Sequence, residues 1–251
     1  MRHALPVIEI FGVPIVRATV TQALEAIERL AESGRPALVA YANAHSLELS
    51  EQDPGFKAVL KEAAMVLNDG VGVSVAAKLI AGQSFPANLN GTDLTPRILD
   101  LAAEKQWRVF FLGAEAGVAE TAKARLREIN SGLLVVGTHS GFFPASETGN
   151  VVQQIREAET DLLLVAMGNP AQEKWLARHL EETGAKIGIG VGAFLDFTAG
   201  LVRRAPTWMR DLKIEWLYRV SCEPGRLWKR YFVGGPVFLA RVALATIARR
   251  L

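Results

Sequence analysis

Short apolar runs alternate with longer amphipathic stretches along most of this chain, the pattern of a mostly parallel sheet covered by helices. The runs at 37–42, 65–67, 108–112, 133–137, 162–166 and 186–190 read as strands. Between them, 21–32, 54–62, 73–79, 94–105, 117–130, 147–159 and 171–182 read as helices long enough to cross over between parallel strands. In the stretch after Ala116, Val118, Ala122, Leu126 and Ile129 recur at helical spacing, while Glu120, Lys123, Arg125, Arg127 and Glu128 decorate the other side. The predicted class is therefore α/β, a mostly parallel sheet flanked by helices over 1–200. After Gly200 the texture changes to tryptophans and arginines, read as a C-terminal helical appendage over 201–251.

Composition sharpens this picture. A chain of 251 residues, half of them apolar and with one cysteine, buries a large core without disulfides. The formal charge of +2 does not by itself indicate a nucleic-acid partner. Its distribution is uneven: from Leu201 onward there are 11 basic and 3 acidic residues, so an acidic body carries a basic tail. Residues 1–10 lack a basic segment followed by an apolar run, so no signal peptide is expected, and the lone Cys222 fits a reducing cytoplasm. The longest apolar candidate, 231–248, is interrupted by Gly234, Gly235, Pro236 and Arg241, and its uninterrupted part is expected to be too short to span a bilayer.

Three segments can carry chemistry. Asn68-Asp69-Gly70 follows a strand, where a carboxylate can take a proton from a hydroxyl nucleophile; the competing role for Asp69 is a helix cap or turn. Met167 to Trp175 contains Gly168, Pro170 and Gln172, the last able to donate and accept toward a sugar or base, against the alternative of an ordinary strand-to-helix turn. The stretch GIGVGAFLDFTAG from Gly188 to Gly200, followed by Arg203 and Arg204, suits close backbone approach and phosphate neutralisation, against simple helix-to-sheet packing. Its spacing matches neither a dinucleotide fingerprint nor a P-loop. His3, His45, His139 and His179 lack metal-ligand spacing, and no protein-bound metal or other cofactor is expected. The tail mixes Trp, Leu, Tyr and Phe with Arg210, Lys213, Arg219, Arg226, Lys229, Arg230, Arg241, Arg249 and Arg250, which fits either an interfacial helix on anionic lipid or a helix hairpin packed on the body.

In order along the chain, FGVPI from Phe11, the Asn43 segment, Asn68-Asp69-Gly70, Asn90 to Leu94, Phe111-Leu112-Gly113, Gly168 to Trp175, GVGAFLDFTAG, Arg204-Ala205-Pro206, Glu215 to Arg219 and Glu223-Pro224 strongly resemble the WecG/TagA/CpsF family of bacterial glycosyltransferases. The resemblance implies a Rossmann-like catalytic body in a cytoplasmic, peripherally membrane-associated enzyme that transfers a sugar, with inversion, from a UDP-sugar to a polyprenyl-diphosphate-linked saccharide in cell-surface polymer synthesis. It further implies that the appendage completes the site and reaches the anionic inner face of the membrane. On matching positions, Asp69 becomes the general base. Asn43, Gln172, Gly190, Gly192, Arg204, Arg219 and Arg226 become donor- or acceptor-binding residues, and Tyr41, Asn88 and Asp93 candidate pocket residues. Three positions depart from the pattern: Asn88 stands where the family commonly has Arg, Tyr41 where it has Thr, and Lys213 where it has Gly. A noncatalytic membrane scaffold and a nucleotide-dependent oxidoreductase are the competing readings; the second lacks its glycine fingerprint. Donor sugar, acceptor linkage and self-association into a homo-oligomer are left open by the sequence.

Overall fold

The computed structural model describes residues 5–202, 204–211, 214–222 and 224–249. The chain opens with an antiparallel hairpin, β1 (Val7–Ile10) and β2 (Val13–Val16), joined by Phe11 and Gly12, both at positive φ (52° and 78°). Two consecutive positive φ values give the tight turn whose twist suits paired strands. There follow α1 (Val20–Glu32), β3 (Ala37–Ala42), α2 (Ala44–Gln52), α3 (Pro54–Glu62), β4 (Met65–Asn68), α4 (Val71–Ala81), α5 (Gly91–Glu104), β5 (Arg108–Gly113), α6 (Val118–Ile129), β6 (Leu134–His139), α7 (Thr148–Glu157), β7 (Leu162–Ala166), α8 (Ala171–Thr183), β8 (Ile187–Gly190) and α9 (Phe194–Thr198).

Six strands form one parallel sheet in the order β4-β3-β8-β7-β5-β6. Its strands are short apolar runs because both faces are covered. Successive side chains alternate between two layers: Val39, Val109, Leu162, Leu164, Ile187 and Ile189 join the cluster under α1, α5 and α6, while Phe110, Leu112, Leu163 and Val165 face α7 and α8. The hairpin, α2, α3 and α4 close the remaining end around Ile8, Ile15, Phe56 and Leu60. The register pairs Ala42 with Asn68, Gly113 with Ala166 and Val165 with Gly190, so these strands end together along one carboxyl edge. Open α/β sheets bind ligands at that edge.

All six sheet strands fall where the apolar runs predict them. The hairpin and α2 were not predicted.

Beyond the sheet lie α10 (Thr207–Asp211), α11 (Glu215–Cys222), α12 (Pro224–Trp228) and α13 (Gly234–Ala248), with one π-helical stretch, Lys229–Val233, joining the last two. This corrects the expectation of a broken apolar run: Lys229–Ala248 is one helix of 20 residues, and the loss of the Pro236 N–H is met by the π-helical stretch Lys229–Val233 just before Gly234, Gly235 and Pro236, where the helix changes winding without ending. By length and composition it is sufficient to cross a membrane. One face is nevertheless docked on the body: Phe238 and Val242 enter the core cluster beside α2 and α4, and Arg241 bonds the buried Glu48 at 3.1 and 3.2 Å. Arg249 donates to the Ile80 carbonyl at 3.0 Å, fastening the other end to α4. Replacing the fully buried Phe238 by Ala is expected to cost about 3–5 kcal/mol of this docking. Tryptic cleavage at Lys229, Arg230 and Arg241 should accelerate; an unchanged cleavage rate would count against the docked position.

Candidate active site

A cavity of about 870 Å³ opens along the carboxyl edge of the sheet. It is lined by Tyr41, Asn43, Asp69, Gln172, Gly190 and Gly192, six of the residues singled out in the sequence, together with His45, Lys229 and Arg230. Asn43 follows β3 and caps α2. Its Oδ1 accepts the Ser46 N–H at 3.0 Å, and because that group can only donate, Nδ2 is left to face Asp69, donating to its Oδ2 at 3.3 Å. Asp69, one residue beyond β4, has its own N–H on the Ala42 carbonyl at 2.8 Å. It does not cap α4, whose N-cap is Gly70, without a side-chain cap bond. Asn88 accepts the Gly70 N–H at 2.9 Å, so it pins the turn that carries Asp69 and does not line the cavity itself.

The wall opposite is built around Gln172, which is 2% exposed. Its Oε1 accepts two backbone N–H groups, from Gly168 at 3.2 Å and Gly192 at 3.0 Å, tying the loop after β7 to the loop after β8. Its Nε2 donates to Glu173 Oε1 at 2.8 Å, and Asn169 Nδ2 donates to the same oxygen at 2.6 Å. Gly190 makes room for this: a Cβ there would stand 2.7 Å from Gln172 Nε2. Gly192 adopts positive φ, 54°. Burial pushes the Glu173 carboxyl up from 4.5 to about 7, against the pull of the Gln172 amide, its own backbone N–H and the Asn169 amide. Burial, then the nearby Arg230 charge, lowers His45 to about 4, so it is neutral at physiological pH. The buried Tyr41 hydroxyl is also pushed up by burial and shares a 3.2 Å hydrogen bond with Thr95.

The tail cations sort by environment. Arg204 lies outside the cavity lining, held by Asp93 at 2.8 Å and near Glu215 at 3.7 Å, so the Arg204–Asp93 pair joins the tail to the start of α5. Arg241 is engaged with Glu48 and Glu51. Lys229 and Arg230, which the sequence did not separate from the other basic residues, reach the cavity. The side chains of Arg219 and Arg226 lie outside the described residues, as do Arg203, Lys213 and Glu223. His139 ends β6 with its ring edge-on to Phe143 and does not join His45 in the cavity lining. Among the described residues, no three His, Cys, Asp or Glu side chains converge into a metal-binding group.

A cavity at a parallel-sheet edge, lined by the carboxylate residues Asp69, Asp196, Glu48 and Glu115 and by the two cations Lys229 and Arg230 from the appended helix, is the equipment of a group-transfer enzyme acting on an anionic substrate. The sequence matches the Glycosyl transferase WecG/TagA/CpsF family over residues 8–251, and the chain belongs to that family. It is thus a glycosyltransferase of cell-envelope polysaccharide synthesis. It is 32% identical over 179 residues to an N-acetylglucosaminyldiphosphoundecaprenol N-acetyl-beta-D-mannosaminyltransferase of Bacillus spizizenii, covering 71% of this chain and 68% of that one. It is also similar to proteins of the same description from Bacillus subtilis (28% over 222 residues; 88% and 85% covered) and Staphylococcus aureus (28% over 242 residues; 95% and 92% covered).

Gly190→Ala is expected to push Gln172 out of its two-loop bridge and to cost about 1–3 kcal/mol in a urea denaturation series. Stability equal to wild type would show that the glycine does not make room for the amide.

Proposed function

We propose that this chain is an inverting glycosyltransferase that moves the sugar of a UDP-sugar onto a polyprenyl-diphosphate-linked saccharide at the inner face of the bacterial plasma membrane. The observation that carries the reading is Asp69, held by Asn43 in the same cavity as Lys229 and Arg230. Asp69 takes the proton from an acceptor hydroxyl as that oxygen attacks the anomeric carbon from the face opposite UDP. The new C–O bond forms as the bond to the β-phosphate oxygen breaks, its electron pair leaves with UDP, and the anomeric configuration inverts. Charge gathering on the departing diphosphate is offset by Lys229 and Arg230, more strongly in the transition state than in the bound donor. Arg219 and Arg226 are proposed for the donor diphosphate on the sequence match to the family alone. In this reading Gln172, Gly190 and Gly192 shape the wall against which the donor lies, with Gln172 keeping one amide hydrogen beyond the contacts it makes within the protein.

The membrane role of the appendage, residues 201–251 in the division proposed from sequence, is supported by the outward face of α13. Its exposed positions, Val237, Leu239, Leu244 and Ile247 among them, are apolar without exception over Gly234–Ala248. On α4, packed beside it, Val71, Val75 and Leu79 are also exposed, one turn apart on a single side. An apolar ridge with Lys78 of α4 exposed beside it and Lys229 and Arg230 at its start suits peripheral seating, apolar side inward and cations near lipid phosphates.

The activity of the relatives makes UDP-N-acetylmannosamine the first donor to test, with a lipid-diphosphate-linked N-acetylglucosamine as acceptor. Asp69→Asn is expected to lower kcat by at least about 100-fold with the fold intact, and nuclear magnetic resonance of the wild-type product should show the inverted anomer. Equal turnover by both forms eliminates Asp69 as the base, and a retained anomer eliminates the single displacement. For the membrane role, the double change Leu244→Glu and Ile247→Glu should reduce co-sedimentation with anionic liposomes about tenfold or more. Unaltered binding removes α13 as the contact.

A further inference from the structure

We propose that Glu173 is a positioning residue for this site, a neutral acid behind the cavity wall that fixes the amides of both Gln172 and Asn169. The inference rests on the donor-site reading above. Glu173 is 0% exposed and is not itself part of the cavity lining, whereas Asn169 and Gln172 are.

The orientation of these amides follows from donor and acceptor chemistry alone. The N–H groups of Gly168 and Gly192 can only donate, so the oxygen of Gln172 must face them and its nitrogen must face Glu173. Asn169 Nδ2 converges on the same Oε1. One carboxyl oxygen therefore collects both cavity-lining amides, and the other, Oε2, is buried with no hydrogen-bond partner. As a carboxylate, Glu173 would leave charge on an unpaired oxygen in the interior; as an acid, it leaves only a hydroxyl there, which costs far less.

The surroundings do not offset a negative charge. β3, β7 and β8 present no ionisable side chain except the Tyr41 hydroxyl. Asp53, which caps α3, pairs with Lys174 of α8, and Lys57 of α3 pairs with Glu51 of α2. Lys61 and Glu62 of α3 are exposed. On α7, Arg156 donates to the Glu182 carbonyl and Glu157 accepts from Gln153, while His179 of α8 lies 3.8 Å from Glu182. The neutral form thus holds the wall without repelling a diphosphate, and ionisation would set a negative charge one residue behind the donor.

The test compares full-length wild type, Glu173→Gln and Glu173→Ala with UDP-sugar donor and lipid-diphosphate acceptor between pH 5.5 and 9. The wild-type donor KM should rise about tenfold as pH passes upward through 7, and Glu173→Gln, which mimics the neutral acid, should abolish that rise. Glu173→Ala, which releases both amides, should lower kcat on the order of 10- to 100-fold at every pH, with substantial recovery in Glu173→Gln. A wild-type pH profile in Glu173→Gln overturns the proposal; if the alanine variant does not fold, the glutamine variant alone decides.

A second readout needs no turnover. The folded state binds the Glu173 proton more tightly than the unfolded chain, so this group's contribution to stability is full below about pH 4.5 and declines as pH rises to about 7. Relative to wild type, Glu173→Gln should therefore gain in urea midpoint across that window. A pH-independent midpoint difference overturns the neutral-acid assignment. Absence of wild-type turnover with every UDP-sugar instead sinks the donor-site reading, and the urea series still decides the state of Glu173.

Discussion

Two loops at the carboxyl edge of the sheet are joined through a single side-chain oxygen. Gly168 and Gly192 follow adjacent strands, and each directs its N–H at Gln172 Oε1. A Cβ at position 190 would stand 2.7 Å from Gln172 Nε2, so glycine there leaves the space the bridge occupies. This bridge sets the distance between the β7 and β8 loops, and through Glu173 it also sets Asn169. The Asn43–Asp69 pair across the cavity has the same logic: a backbone N–H consumes the amide oxygen and so decides where the amide nitrogen points. Both walls are oriented by backbone groups, which rotate far less than side chains do.

The legible part of this fold is the part buried on both faces. LLLVA at 162–166 and ALVAYA at 37–42 have no polar position to confuse the reading, and their limits coincide with β7 and β3. The hairpin was missed because Phe11, not Asn or Gly, takes the first positive-φ position of its turn, although Val7 to Ile10 alternates out and in. Helix α2 was missed because HSLELSEQ shows little amphipathic pattern; its evidence is the capping box of Asn43 and Ser46, which sequence alone did not separate from a binding role for Asn43. At the site, Asp69 and Gln172, both picked out in the sequence by the strand that precedes them, line the cavity. The cations were illegible, since Arg204, Lys229 and Arg241 differ only in which acidic residues the fold brings to them.

This sorting changes the meaning of the basic tail. Its arithmetic suggests a uniform positive surface, yet Arg204 and Arg241 are joined to acidic residues of the body, and Arg249 meets a backbone carbonyl. These contacts are partly exposed, so each contributes modestly to stability, but they fix position. What they position is the short segment holding Lys229 and Arg230. Asn88, where the family commonly carries Arg, fits the same division of labour: it supplies geometry to the Asp69 turn and leaves charge to the appendage.

Because α13 starts at the cavity rim and is fastened at its far end to α4, its blank outer face extends about 22 Å from the chemistry. Whatever covers that face determines how near the cavity mouth can come to a boundary between water and oil. A reactant dissolved in one phase and a reactant anchored in the other could then meet without either leaving its own medium.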